Sequence, residues 1–157
     1  MGVYSVNGFT TATASAANKA ICALWNPSST RRIKVLEVGV YRTGTTGTGP
    51  QLRRISVRGT PGSTVTPDGD NAWHDPDAPP SGALLDLAEY TVAPTFDTPN
   101  LYGAILTFGG AAGSGGSGEV WVMRGGLSVP PGAGLAVQNR LTEIWAASEV
   151  YYVWEEN

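Results

Sequence analysis

The chain has a single histidine, His74, set in Pro67-Asp68-Gly69-Asp70-Asn71-Ala72-Trp73-His74-Asp75-Pro76-Asp77. Any Ser-His-Asp machinery would have to use it as the base that activates a serine. The sequence does not supply that serine in a nucleophile elbow: no Gly-x-Ser-x-Gly occurs, and Gly113-Ser114-Gly115 and Gly116-Ser117-Gly118 read as slack, not as strained turns. The expectation is a solvated loop histidine in a protein that is not an enzyme. Asp68, Asp70, Asp75 and Asp77 from the same stretch are the residue type that gathers around a hard cation such as calcium. Their spacing breaks the EF-hand pattern, because Ala72 stands where a third ligand belongs and Trp73 where the sharp-turn glycine belongs. Turn formation and solubility are the preferred reading of these acids, with no metal and no cofactor.

Other chemistry is thinner still. Cys22 is the one cysteine, inside the apolar run Ala20-Ile21-Cys22-Ala23-Leu24-Trp25, so it forms no internal disulfide or cysteine metal site and reads as a buried, inert thiol. No Walker A loop or dinucleotide fingerprint is present. Trp25, Trp73, Trp121, Trp145 and Trp154 could line a sugar site, but tryptophans in a β protein are expected in cores and subunit contacts.

The charge is unevenly placed. Residues 1–58 carry eight of the ten Lys and Arg against one acid, Glu37, a net of +7. The rest of the chain holds Arg124 and Arg140 against twelve acids, a net of −10, so the whole comes to −3. Such asymmetry either registers protein–protein contacts or lets basic and acidic strands pair internally. Nucleic acid is not an expected partner, since the bases fall on alternating strand positions without an aromatic platform and the isoelectric point is near 5.0. No apolar run approaches the roughly 20 residues of a membrane span, and the N-terminus lacks a basic region followed by an apolar one. A soluble protein made in a cytoplasm, with no membrane partner, is expected. Met1-Gly2 misses a myristoylation start because its hydroxyl residue, Ser5, comes one place early.

The elements that must carry these residues read as strands. Charged residues are 15% of the chain, while 21 glycines and 11 prolines fall between apolar segments, which is turn chemistry. The run from Ile33 to Tyr41 is rich in β-branched residues and predicts a strand with Leu36, Val38 and Val40 on one face. Leu52 to Arg58 alternates as a half-exposed strand and is expected to pair with it as a hairpin. Residues 59 to 82 are proline-rich and aperiodic, predicting a long loop of functional or interfacial use. Further strands are predicted at Ala83 to Tyr90, Tyr102 to Phe108, Glu119 to Arg124, Gly134 to Asn139 and Glu149 to Trp154. Val129 to Val137 reads as strand, tight turn, strand, and Gly109 to Gly118 as a flexible loop. Thr13 to Leu24 is ambiguous, its alanines favouring helix and its flanks strand, and is read as strand. Residues 1–157 are thus expected to form a single all-β domain, an antiparallel, jelly-roll-like sandwich of about eight strands with long loops.

Several short blocks carry a resemblance: Gly8-Phe9-Thr10-Thr11, Leu24-Trp25-Asn26-Pro27-Ser28, Arg31 to Val38, Leu52-Arg53-Arg54, Pro79-Pro80-Ser81-Gly82 and Val129-Pro130-Pro131-Gly132. Together they resemble small proteins encoded among the head genes of tailed bacteriophages, the capsid decoration (head outer) proteins. The resemblance implies a jelly roll that assembles as a homotrimer on the outside of the virion shell, with the major capsid protein as partner and no catalytic residues. The interface expected for it is the Pro-rich loop at Trp73, His74, Asp75, Pro76, Asp77, Pro79 and Pro80. A tail-fibre or receptor-binding head domain that recognises a host glycan is the alternative.

Overall fold

Tyr4 and Val6 turn inward while Val3, Ser5 and Asn7 turn outward, the two-residue alternation of a strand with one covered face. The same logic repeats along the chain. The computed structural model describes residues 2–11, 19–43, 49–65, 72–74, 76–101, 118–140 and 147–156. In these residues the strands are β1 (Gly2–Thr10), β2 (Ala20–Asn26), β3 (Ile33–Arg42), β4 (Pro50–Val57), β5 (Ser63–Val65), β6 (Ala72–Trp73), β7 (Leu84–Leu87), β8 (Thr95–Leu101), β9 (Gly118–Val129), β10 (Ala133–Asn139) and β11 (Ser148–Glu156).

They form two antiparallel sheets, one ordered β6-β1-β11-β3-β9 and the other β5-β7-β2-β10-β4-β8. Strands β5 to β7 lie between β4 and β8 in sequence. With them set aside, β1-β11-β3-β9 faces β2-β10-β4-β8, and the chain changes sheet at every connection but one, which is jelly-roll order. The all-β sandwich is therefore built on eight strands. The three others extend both sheets along one edge, β6 beside β1 and β7 with β5 beside β2.

The core between the sheets holds Tyr4, Ile21, Cys22, Leu24, Val38, Val40, Leu52, Leu135, Val137, Tyr152 and Trp154, each essentially inaccessible to water. A second cluster of Ala20, Ala23, Trp25, Ile55, Tyr90 and Ala136 covers the outer face of the six-stranded sheet. This cover explains the Ala-rich stretch. Ala20 and Ala23 belong to β2, which is buried on both faces, and small side chains leave room for Tyr90 above them. Residues 13–18 of the ambiguous stretch lie outside the described residues.

Several expectations are corrected. Strands β3 and β4 are not a hairpin: β3 pairs with β11 and β9, β4 with β10 and β8, because the connection crosses between sheets. Leu36 does not share a face with Val38 and Val40. A bulge opposite Val153 and Trp154 leaves Leu36 without a ladder partner on β11 and puts Val35 in the core instead. Strand β4 is not half exposed in its middle, since Leu52 is buried between the sheets and Ile55 under the outer cover. Val129 to Val137 is two strands and a tight turn, with Gly132 at φ 65°, but the turn passes from one sheet to the other. The 83–90 strand shrinks to Leu84–Leu87, ended by Ala88 at φ 61°. Residues 59–82, expected to be irregular, carry β5, β6 and a bridge from Thr60 to Val92. The 102–108 strand lies outside the described residues, as do residues 109–117 of the Gly-rich loop, and β8, at Thr95–Leu101 just before them, is a strand that was not expected.

Candidate functional site

Two surfaces stand out, and both are set by what the five-stranded sheet presents to solvent. The first is the ridge formed by residues 72–74 and 76–82 along the edge of β1. Tyr4 is paired with Trp73 and Ser5 with Ala72, and the His74 N–H donates to the Val3 carbonyl at 3.0 Å. Further on, the buried Tyr4 hydroxyl donates to the Pro79 carbonyl at 2.5 Å. Glu156, also buried, accepts hydrogen bonds from the Ser81 hydroxyl, from the Trp154 indole at 3.1 Å and from the Gly82 N–H at 3.4 Å. The Pro-rich segment is thus nailed to the core at both ends, while His74, Pro76, Asp77, Pro79 and Pro80 remain exposed.

The structure places the expected interface residues on this one ridge, apart from Asp75, which lies outside the described residues with Asp68 and Asp70. Trp73 is described by its strand position alone. His74 approaches Ser5, with Nε2 to Oγ at 3.2 Å. That contact lies in open solvent, and Ser5 sits in the regular β1 ladder, not on the strained turn that presents a serine nucleophile. Among the described residues no group of three or more His, Cys, Asp or Glu side chains converges.

The second surface is the outward face of β11, β3 and β9. The register sets Phe9, Glu149, Tyr41 and Gly118 in one row across four strands, and Asn7, Tyr151, Gly39 and Val120 in the next. A Cβ on Gly39 would run into the Tyr151 ring, and one on Gly118 into the Tyr41 ring, so each tyrosine lies down over a glycine of the neighbouring strand. The two rings are parallel to within 15° with centroids 6.2 Å apart, too far for direct face-to-face stacking, so they are displaced sideways. The Tyr151 hydroxyl is held by the Glu37 carboxylate. Burial, reinforced by that bond, pushes the Tyr151 phenol well above its ordinary value, so it stays a donor. Asn7 donates to Glu149 at 3.3 Å. Phe9, 66% exposed, and Tyr41, 40% exposed, leave large apolar area facing water.

Sequence reasoning did not single out this face. Its signal is Gly39 in the interior of a β-branched strand, where glycine marks a close approach by another group. Of the tryptophans considered for sugar binding, Trp154 is buried against Tyr4 with centroids 5.8 Å apart, and Trp25 lies under the outer cover. Trp121 packs partly buried against the core, and Trp145 lies outside the described residues.

Compared with family models, with curated proteins and with solved structures, the chain matches none. The class of the molecule is therefore stated from its own geometry: a jelly-roll β-sandwich with an edge-extending insertion.

Proposed function

We propose that the chain is a virion structural protein, a capsid decoration protein that docks on the outside of a phage shell as a homotrimer and stabilises it. The observation that supports this most is the ridge. It is exposed and Pro-rich, yet hydrogen-bonded to buried Tyr4 and Glu156, so a partner would gain contact without much further loss of backbone freedom. Jelly rolls serve as viral coat domains, which is a fold-level analogy and adds only weight. The major capsid protein is the proposed partner, and the capsid surface the proposed location.

The test adds purified chain to shells that lack it. Saturable co-sedimentation and a trimer by light scattering are expected. Trp73→Ala and Pro80→Gly should each weaken docking about fivefold or more, the second by returning freedom to the ridge, with an unchanged β spectrum. A monomer that ignores shells would overturn the reading. The second reading, a tail-fibre or receptor-binding head domain, is favoured by the tyrosine face that the five-stranded sheet presents to solvent.

A further inference from the structure

We infer that the outward face of β11, β3 and β9 is a carbohydrate-binding platform for neutral hexopyranose oligosaccharides, centred on Tyr41 and Tyr151 and flanked by Phe9, Glu149, Asn7 and Glu37. The inference does not depend on where in a virion the chain sits: the ridge runs along the outer edge of β1, whereas the two tyrosines that centre the platform stand on β11 and β3.

An aromatic face carries negative quadrupolar charge, and the C–H groups on one face of a pyranose carry slight positive charge, so the two surfaces attract when a flat ring is offered outward. A tyrosine on a sheet normally stands upright. Here glycines beneath let both tyrosines lie flat, and Glu37 fixes Tyr151 by its hydroxyl. The plate is thereby ordered before any ligand arrives, which lowers the cost of binding.

The polar groups complete the match. Glu149 stands between Phe9 and Tyr41 in the same cross-strand row, Asn7 sits directly beside Tyr151 in its own row, and Glu37 lies in the row beyond. Carboxylate and amide oxygens beside an apolar plate are the acceptors that sugar hydroxyls need for orientation. From Phe9 to Tyr41 the row crosses two strand spacings, about 10 Å, room for about two sugar rings. With Glu37 and Glu149 supplying negative charge, a uronate or sialic acid would be repelled, so the ligand is neutral. A protein partner would be served as well by upright side chains, and it is the flattening of both rings that favours a sugar.

The experiment prints neutral hexopyranose oligomers (cello-, malto- and galacto-series) beside uronate- and sialyl-terminated ones, probes them with the whole chain, and titrates the best binder by calorimetry. Saturable binding of a neutral series and none of the acidic ones is expected. Tyr41→Ala should weaken it about tenfold, Tyr41→Phe should hold it within about threefold because the plate survives, and neither should change the β spectrum. Absence of any neutral binder at millimolar concentration would overturn the inference, as would binding that Tyr41→Ala leaves intact. So would a face whose Tyr41→Ala change abolishes self-association while no sugar binds. Shell docking by Tyr41→Ala should stay normal, so failure here and failure of the capsid reading give different results.

Discussion

At the scale of single residues, Cys22 shows how burial decides chemistry. Its thiol lies in the core 3.7 Å from the Tyr152 hydroxyl. Desolvation pushes its pKa from 9.0 up to about 12, against smaller opposing hydrogen bonds from Tyr152 and Val137. The native thiol should therefore ignore a maleimide at neutral pH and react only on unfolding. The same shift has a definite sign in stability. Below pH 9 the thiol is protonated in both states and its contribution is whole. As pH rises from 9 towards 12 the unfolded chain loses the proton first and the contribution is progressively lost. Urea midpoints of the wild type and Cys22→Ala, compared across that range, should diverge less at pH 11 than at pH 7. A constant difference would refute the assignment.

At the scale of elements, strand existence was legible and strand partnership was not. The β-branched runs locate β3, β4, β9, β10 and β11, because a residue type that fits a pleated surface reports local geometry. Alternation, however, tells which face a residue takes and never which sheet the strand joins, so β3 and β4 read as a hairpin although they lie in opposite sheets. The bulge at Leu36 was equally hidden, since an extra residue flips the face downstream without any change in composition. The ridge residues were legible from their prolines, but their anchoring was not, because it depends on Tyr4 and Glu156, more than seventy positions away from the residues they hold. The tyrosine platform needed the cross-strand register before Gly39 and Gly118 could be matched with their rings. The insertion has a second anchor on the other sheet. Asp86, 0% exposed on β7, accepts from Arg58 at 2.5 and 2.9 Å, from Thr64 at 3.0 Å and from Tyr90 at 3.3 Å. It ties β5, β7 and the covering Tyr90 together, beside a small cavity of about 30 Å³ lined by Lys19, Ala20, Tyr90, Ala93 and Pro94. Asp86→Ala should cost about 3 kcal/mol by urea unfolding, since it strands donors that burial has desolvated, while Asp86→Asn, which keeps some acceptors, should cost less. Equal losses for the two would mean that packing, not hydrogen bonding, holds the insertion down.

At the scale of the whole molecule, the charge asymmetry finds much of its use inside the fold. Four ion pairs among the described residues, Lys19 with Glu89, Arg31 with Glu156, Lys34 with Glu155 and Arg58 with Asp86, each join a base from the first 58 residues to an acid from the remainder. Topology makes this possible, because β11 returns to lie between β1 and β3 and brings acidic Glu155 and Glu156 beside the basic start of β3. Under the proposed docking role, the charge left for a partner is that of bases such as Arg32 and Arg124, which face solvent. Three of the four pairs have at least one partner more than a third exposed, and such pairs are worth a few tenths of a kcal/mol each and are screened by salt. Arg58 with Asp86 is shielded by its buried carboxylate and should persist. Raising sodium chloride from about 0.05 M to 0.5 M should therefore lower unfolding free energy by about 1 kcal/mol at most, measured in urea so that the denaturant itself adds no ions. The Asp86→Ala variant should show the same salt slope as the wild type. A slope that vanished in that variant would place the salt-sensitive charge in the insertion, and one several times steeper than stated would mean that the basic and acidic parts interact over a wider surface than these contacts.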